Sequence, residues 1–379
     1  MCYPVTLVTV LSLCATGARA GEVNLNGELG AEYDSNVHWS DSAGASGPPH
    51  VGSPLGRVVL GLSAADRIGA HQDVAFSVLG AGKAFEAEAA RNENVAVVET
   101  SGAWRVALGQ RTRLGVNGAY YEAIQAGTAA ERELSGVARD FRSLAPTLRL
   151  TRAVGDSGTL ALAAGYRWFV YKPLRVYDFH APAVALDYRL GWETADGAAD
   201  WEVAAAAGVE FRGFAGTRLV REAGCASGSC AAVPDEDANS RHEDQFFAGR
   251  LDITRIGQVL LGVGYALQWN RSNSYSETLL RHAGTLRLTM PMPLGLYLAT
   301  RAELVFVSYP DHAAFPAGPS GQSRTTIEDE NRSQLRAELS RKITTQLQLL
   351  LRYSLYINAI GQNSYQRQTA TLSLAFAIE

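Results

Sequence analysis

The segment 369–378 alternates apolar and mostly hydroxyl-bearing side chains without a break. Its residues fall into two sets: Ala370, Leu372, Leu374, Phe376 and Ile378 against Thr369, Thr371, Ser373 and Ala375. Because successive side chains of a strand point to opposite faces, this pattern predicts a β-strand with one apolar and one polar face. Such a strand at a free sheet edge promotes aggregation, and closing the sheet removes the edge. We therefore expect the last strand to pair with the first in a barrel.

The same period recurs along the rest of the chain. Strands are expected at 22–38, 55–65, 71–84, 92–108, 111–124, 139–153, 158–172, 177–193, 200–215, 241–255, 258–272, 277–290, 294–309, 326–343, 345–360 and 363–378. The predicted fold class is all-β, a transmembrane antiparallel up-and-down β-barrel of about 16 strands. A soluble sandwich would need a second layer of sheet, and a β-solenoid would need a fixed repeat length. The sequence indicates neither.

The connections between these strands alternate in length. Short ones lie at 66–70, 109–111, 154–158, 194–200, 255–258, 291–295 and 342–344, and the intervening ones at 39–54, 85–91, 125–138, 216–240, 273–276, 310–325 and 361–362. The longest of the second set are rich in Gly, Pro, Ser and Asp, as solvent-exposed loops are. Tight turns at one end and long loops at the other are typical of outer-membrane barrels, with the short turns on the periplasmic side.

Composition narrows the function classes. The formal net charge is -4, no block of basic residues occurs, and nucleic-acid binding is not expected.

Residues 1–20 resemble a signal peptide with the small-x-small site "ARA" before Gly21, and lipidation at Cys14 is the alternative. The predicted domains are therefore the signal peptide 1–20 and the outer-membrane β-barrel 21–379. The predicted location is the outer membrane of a Gram-negative cell, reached after signal-peptide export.

Two cysteines remain after the predicted cleavage, Cys225 and Cys230 in "CASGSC". In an exported protein, two cysteines so close in a polar loop predict a local disulfide. A metal-binding pair is the alternative, but no second pair and no His lies nearby in the sequence. The sequence therefore predicts no metal site and no cofactor.

Charged side chains belong on the parity that faces away from lipid. The predicted lumen-lining residues, and the possible substrate path, are Arg105, Arg149, Arg167, Asp187, Arg189, Glu210, Arg212, Arg250, Asp252, Arg287, Arg301, Glu303, Arg336, Glu338, Arg352, Tyr171, Tyr297 and Tyr356. Opposite charges often lie two residues apart: Asp187/Arg189, Glu210/Arg212, Arg250/Asp252, Arg301/Glu303 and Arg336/Glu338. These residues form either a lattice of ion pairs that stiffens the barrel or a selective path, and the mixed signs favour a neutral or zwitterionic cargo.

Catalytic motifs give a weak signal. "GDSG" at 155–158 has the residues of a protease nucleophile motif, but Gly, Asp and Ser are also what a tight turn uses. His242 with Asp244, or His282 with Ser276, are the candidates for a hydrolase at the outer rim, and only their proximity supports them. The acidic runs 234–237 and 328–331 are read as solvated loops. We expect no enzyme and assign no catalytic residue.

Two segments carry a family resemblance. "LGAEYDSNV" (29–37) and the closing run 331–379, with "NRSQLRAELS" and "NSYQRQ", resemble the first and last strands of barrels that follow helical TPR repeats in polysaccharide exporters. The poly-N-acetylglucosamine and cellulose exporters are examples. No TPR repeats precede the barrel segment here, so the resemblance implies a stand-alone barrel whose polymer is delivered by separate periplasmic proteins.

The resemblance implies an outer-membrane channel that secretes a surface or extracellular polysaccharide. Two alternatives remain: a non-transporting barrel that anchors an envelope, motility or adhesion complex, and a general porin. The expected partners are outer-membrane lipid and lipopolysaccharide, periplasmic export or envelope-complex proteins, and the barrel-assembly machinery.

Overall fold

A computed structural model gives the fold of this chain. It describes residues 21–38, 50–126, 140–172, 175–194, 200–222, 232–237, 239–275, 277–310, 332–358 and 365–378. The predicted signal peptide 1–20 and the predicted disulfide between Cys225 and Cys230 lie outside the described residues, and both stay predictions.

The described strands form a closed antiparallel barrel of sixteen strands. These strands are β1 Glu22–Asp34, β2 Ser53–Ile68, β3 Gln72–Phe85, β4 Val95–Ala107, β5 Thr112–Gln125, β6 Phe141–Val154, β7 Gly158–Tyr171, β8 Phe179–Glu193, β9 Asp200–Thr217, β12 Arg241–Ile256, β13 Leu260–Ser272, β14 Leu279–Met292, β15 Leu296–Ser308, β16 Ser333–Lys342, β17 Leu347–Asn358 and β18 Tyr365–Ile378. The predicted fold class and all sixteen predicted strands are confirmed, and within the described residues their ends differ by a few residues. Residues 139, 326–331, 359–360 and 363–364 of the predicted strands lie outside the described residues.

Several smaller elements are not part of the barrel sheet. A two-stranded hairpin, β10 Leu219–Arg221 and β11 Ala232–Pro234, lies between β9 and β12, which are neighbours in the barrel. Short 3-10 segments occur at Glu88–Glu93, Arg175–Tyr177 and Pro293–Gly295. No helix in the described segments is long and apolar enough to cross a membrane, and this finding says nothing of a β-barrel.

The first and last strands close the barrel, as the terminal alternation predicts. β1 and β18 pair from Leu25 with Ile378 to Asp34 with Thr369. Neither strand therefore presents a free edge.

The two faces of the wall differ as the alternation requires. Leu29 and Leu374 on the outer face are 68% and 47% exposed, whereas Thr371 on the inner face is 2% exposed. Aromatic side chains lie on the same outer face, and the rings of Trp192 and Trp201 stack there at 6.3 Å. Apolar side chains exposed around a closed barrel are stable only against lipid. The protein is therefore a transmembrane barrel of the outer-membrane type, and lipid contacts its outer face.

The short turns are built on residues with positive φ. Gly69 and Gly155 have φ values of 67° and 64°, a region that glycine enters without a steric penalty. Gly155 begins the "GDSG" stretch, and Val154 pairs with Gly158 across this turn. The resemblance of this stretch to a nucleophile motif thus reflects turn chemistry.

Candidate functional site: the barrel interior

The predicted lumen residues lie on the inward parity of their strands. They alternate with exposed apolar neighbours, as Arg167 does with Trp168 and Asp187 with Leu186. Tyr171 is fully buried, whereas Tyr297, at the start of β15 near the short turns, is 47% exposed. Their position on the inner face is a fact of the fold; their use as a substrate path is a proposal.

Ion pairs join neighbouring strands on one side of the interior. Glu32 of β1 accepts from Lys83 of β3 at 2.6 Å and from Arg57 of β2 at 3.4 Å. Glu28 lies 3.5 Å from Arg57 and 3.3 Å from Arg352 of β17. These contacts connect β3, β2, β1 and β17 across the closing seam, the β1–β18 pairing that completes the barrel.

The pairing continues around the rest of the wall. The pairs are Arg352–Glu338 at 2.8 Å, Arg336–Glu338 at 3.0 Å, Arg301–Glu303 at 2.9 Å, Arg287–Asp252 at 3.1 Å, Arg149–Asp187 at 2.9 Å, and Arg250–Asp252, Arg212–Glu210 and Arg167–Glu210. Four of the five expected pairs two residues apart therefore form. Asp187 of β8 pairs with Arg149 of β6 rather than with Arg189, because Ala161 and Ala163 of the intervening strand β7 leave room for the contact.

A polar cavity of about 410 Å³ lies on the seam side of the interior. Its walls come from β1 to β4 and from β16 to β18, and its lining includes Glu32, Lys83, Arg336, Arg352 and Tyr356. Hydroxyls of Ser354, Thr369 and Thr371 face the same space. The cavity therefore offers donors, acceptors and charges of both signs to a hydrophilic molecule.

Asp34 and Arg367 form the most buried ion pair described at the seam. Asp34 is fully buried, and Nε of Arg367 lies 2.9 Å from both of its carboxylate oxygens. Nη2 of Arg367 also donates to Oδ2. Asp34 ends β1 and Arg367 lies near the start of β18, so this bidentate pair connects the first and last strands.

An arc of packed aromatic rings lies on the opposite side of the interior, near the ends of the strands that carry the long loops. One ring comes from each of six neighbouring strands, β5 to β9 and β12: Tyr121, Phe141, Phe169, Phe179, Phe214 and His242. Consecutive centroids are 5.3, 5.3, 4.9, 5.1 and 4.0 Å apart. Most of these rings are buried, so they pack against one another rather than offer open faces.

One of the two hydrolase candidates from the sequence, His242 with Asp244, has a geometry that does not favour catalysis. Nε2 of His242 lies 2.6 Å from Asp244 Oδ1 and 3.1 Å from Ser272 Oγ. In a Ser-His-Asp relay the serine and the carboxylate contact opposite ring nitrogens. The other candidate, His282, hydrogen-bonds Tyr265 at 2.7 Å on the lipid-facing surface, and its suggested partner Ser276 lies outside the described residues.

His38 and Asp235 are titratable groups in the loops beyond the barrel strands. His38 Nε2 is 2.9 Å from the Ala89 carbonyl, and Nδ1 faces the Glu93 carboxylate at 3.5 Å, which raises the pKa of His38. In the acidic run 234–237, a hydrogen bond from Arg218 lowers the pKa of Asp235. Asp235 is thus an ion-pair partner within the hairpin. The other acidic run, 328–331, lies outside the described residues.

Several interior residues were not selected from the sequence. Arg57, Lys83 and Arg367 line the cavity, and Phe141 and Phe179 belong to the aromatic arc. Each lies on the parity opposite an apolar series, so the alternation contained the signal. Whether these residues meet in one cavity or one arc depends on how the barrel closes and on the register between strands, and the sequence of a single strand does not contain this information.

No known family profile matches the chain, and no curated protein matches it. Solved outer-membrane proteins match in shape. OmpT of Vibrio cholerae with loop L8 deleted is 12% identical, with 95% of this chain and 100% of that one covered and a TM-score of 0.46. OccK11 of Pseudomonas aeruginosa is 11% identical, with 96% of this chain and 98% of that one covered and a TM-score of 0.44. OpdK of Pseudomonas aeruginosa is 10% identical, with 94% of this chain and 99% of that one covered and a TM-score of 0.47. Likenesses this distant carry no argument about cargo.

Proposed function

We propose that this protein is a non-enzymatic outer-membrane channel that passes hydrophilic solutes through its interior. The observation that carries the proposal is the polar cavity of about 410 Å³ inside a barrel whose inner wall is lined by ion pairs and hydroxyls. A barrel of this strand number is wide enough to leave an aqueous path beside its wall. A barrel that served only as an anchor could use the ion pairs to stiffen its wall, but it would not need an open polar cavity.

The proposal predicts stepwise ion conductance. The full chain, folded in detergent and added to a planar lipid bilayer, is expected to give single-channel current steps in 1 M KCl. The same preparation unfolded by heat before addition is the matched control and should give none. A folded barrel that inserts but conducts no current would contradict the channel and would favour the anchor.

The finer proposal is that the cargo is a surface or extracellular polysaccharide. It rests on the resemblance of 29–37 and 331–379 to exporter barrels, and one observation favours it. Both segments converge on the same cavity, since Glu32 comes from the first and Arg336, Arg352 and Arg367 come from the second. Periplasmic export proteins would then deliver the polymer, and lipopolysaccharide and the barrel-assembly machinery are further proposed partners.

Polysaccharide export predicts a carbohydrate phenotype. A clean deletion of the gene is expected to remove one extracellular or capsular polymer while its precursors are still made, as judged by dye binding and sugar analysis. A strain rescued with the full-length chain should recover the polymer. Unchanged surface carbohydrate in the deletion strain would reject export and leave a channel for small solutes.

A further inference from the structure

The connection between β3 and β4 folds against the cavity at the end of the barrel that carries the long loops. In this segment, residues 86–94, Ala90 is fully buried in an apolar cluster with Val37 and Phe85. Glu93 of the same segment lines the cavity beside those two residues. The segment therefore forms part of the cavity wall, and its position affects how open the cavity is towards the long loops.

His38 contacts this segment through both of its ring nitrogens. Nε2 lies 2.9 Å from the carbonyl oxygen of Ala89, and Nδ1 lies 3.5 Å from the carboxylate of Glu93. Both His38 and Glu93 are buried, so water and salt screen their contact only weakly. A neutral imidazole has one N–H, so it donates to one of these acceptors and turns a lone pair towards the other. Only the doubly protonated ring can donate to both.

The charges around His38 favour the protonated ring. Glu93 acts on it most strongly and raises the pKa of His38, Asp34 at the end of β1 adds to this effect, and burial opposes it. Asp34 is itself bound by Arg367, whereas Glu93 accepts a hydrogen bond at 3.2 Å from the neutral amide of Gln125. The other charged side chains of the segment, Glu86, Glu88 and Arg91, are exposed. Glu93 is therefore the carboxylate that couples the segment to the charge of His38.

The sign of the pH dependence follows from the raised pKa. When the segment is released, His38 returns to the ordinary histidine pKa of about 6.5. A group whose pKa is higher in the bound arrangement stabilises that arrangement fully below its ordinary pKa. This stabilisation is lost as the pH rises through the raised value. Acid therefore favours the segment bound against the cavity, and alkali favours its release.

We propose that His38 is a pH-dependent latch: its protonation holds segment 86–94 against the cavity, and its deprotonation releases the segment and opens the cavity towards the long loops. The inference rests on the proposed channel function and adds a condition that regulates the same cavity. Because the long loops of outer-membrane barrels lie outside the cell, the latch responds to external pH.

Conductance tests the latch in the full-length channel. In planar bilayers, the wild-type current step is expected to be about twofold larger at about pH 8.5 than at about pH 5.5. His38→Gln keeps an N–H donor for the Ala89 carbonyl but cannot titrate, so its current step should be the same at both pH values. His71→Gln is the matched control, since it removes an exposed histidine from the short turn after β2, and it should keep the wild-type response. A pH response that survives in His38→Gln, or that is absent in the wild type, would overturn the inference.

The segment itself is measured by hydrogen–deuterium exchange on the full-length barrel in detergent, with labelling times scaled for the intrinsic effect of pH. Amides of 86–94 are expected to exchange about tenfold faster at about pH 8.5 than at about pH 5.5 after this correction. In His38→Gln the corrected rates should be equal. Glu93→Gln keeps the size of the side chain and removes its charge, so the midpoint of the change should move down towards the ordinary histidine pKa. Equal corrected rates in the wild type would overturn the latch.

The two measurements separate this inference from the proposed function. Current steps from a barrel whose segment 86–94 exchanges independently of pH would overturn the latch and keep the channel. A His38-dependent change of exchange in a barrel that passes no current would keep the latch and overturn the channel. A His38-dependent change of exchange with a current that ignores pH would show that the segment does not control the opening, which overturns the inference.

Discussion

Asp34→Asn is expected to destabilise the barrel by about 3–5 kcal/mol, the usual loss when one partner of a buried ion pair is removed. The substitution takes the carboxylate from a guanidinium that is itself buried, with 7% of Arg367 exposed. It also weakens the acceptor of the Asn36 backbone N–H, which lies 3.1 Å from Asp34 Oδ1. The loss falls at the β1–β18 seam, where the barrel closes.

The measurement is the free energy of unfolding in urea for barrels folded into lipid vesicles, with gel mobility before and after heating as the check on folding. Asp187→Asn is the control, because its pair with Arg149 is partly exposed and lies away from the seam. We expect that control to lose less than about 1 kcal/mol. The double variant Asp34→Asn/Arg367→Met should recover part of the loss, since it leaves no buried charge unpaired. Equal losses for Asp34→Asn and Asp187→Asn would show that the seam pair has no special role.

The closing strands also show which parts of the fold can be predicted from the sequence. Strand positions and the in-or-out parity follow from a period of two, because lipid tolerates charge so poorly that the pattern is enforced along every strand. The alternation in 369–378 therefore predicted both the closing strand and its polar inner face. The aqueous end of each strand is less constrained, and predicted boundaries such as 22–38 differ from the structure there, where β1 ends at Asp34.

The candidate site was only partly predictable for a different reason. Lys83 of β3 pairs with Glu32 of β1 across the intervening strand β2. Asp187 pairs with Arg149, two strands away, rather than with Arg189, two residues away in its own strand. Such choices depend on wall curvature and on small side chains between the partners, which no local pattern encodes. Parity thus identified Arg336 and Arg352 as interior residues, but closure was needed to bring them to the same cavity as Lys83 and Arg57.

Phe179→Ala is expected to cost about 3–5 kcal/mol of unfolding free energy, the usual loss for deleting a packed aromatic ring. Phe179 is 5% exposed, and its ring is stacked on Phe169 at 4.9 Å and packed at 5.1 Å against Phe214. The guanidiniums of Arg167 and Arg212 lie 4.8 and 5.3 Å from its centroid. The substitution therefore removes the centre of the aromatic arc together with two largely buried cation–π contacts, which add about 0.5–2 kcal/mol each.

Two further variants distinguish ring packing from simple apolar burial in the same vesicle unfolding assay. Phe211→Ala removes a ring from the outer face of β9, where 48% of the side chain is exposed and lipid fills the space. Its loss should stay near the transfer free energy alone, about 1.5–3 kcal/mol. Phe179→Leu keeps most of the buried volume, so it should recover more than half of the Phe179→Ala loss but not the cation–π part. If Phe179→Ala costs no more than Phe211→Ala, the arc contributes only apolar area. A larger cost would mean that ring packing in the arc stabilises this side of the wall beyond simple apolar burial.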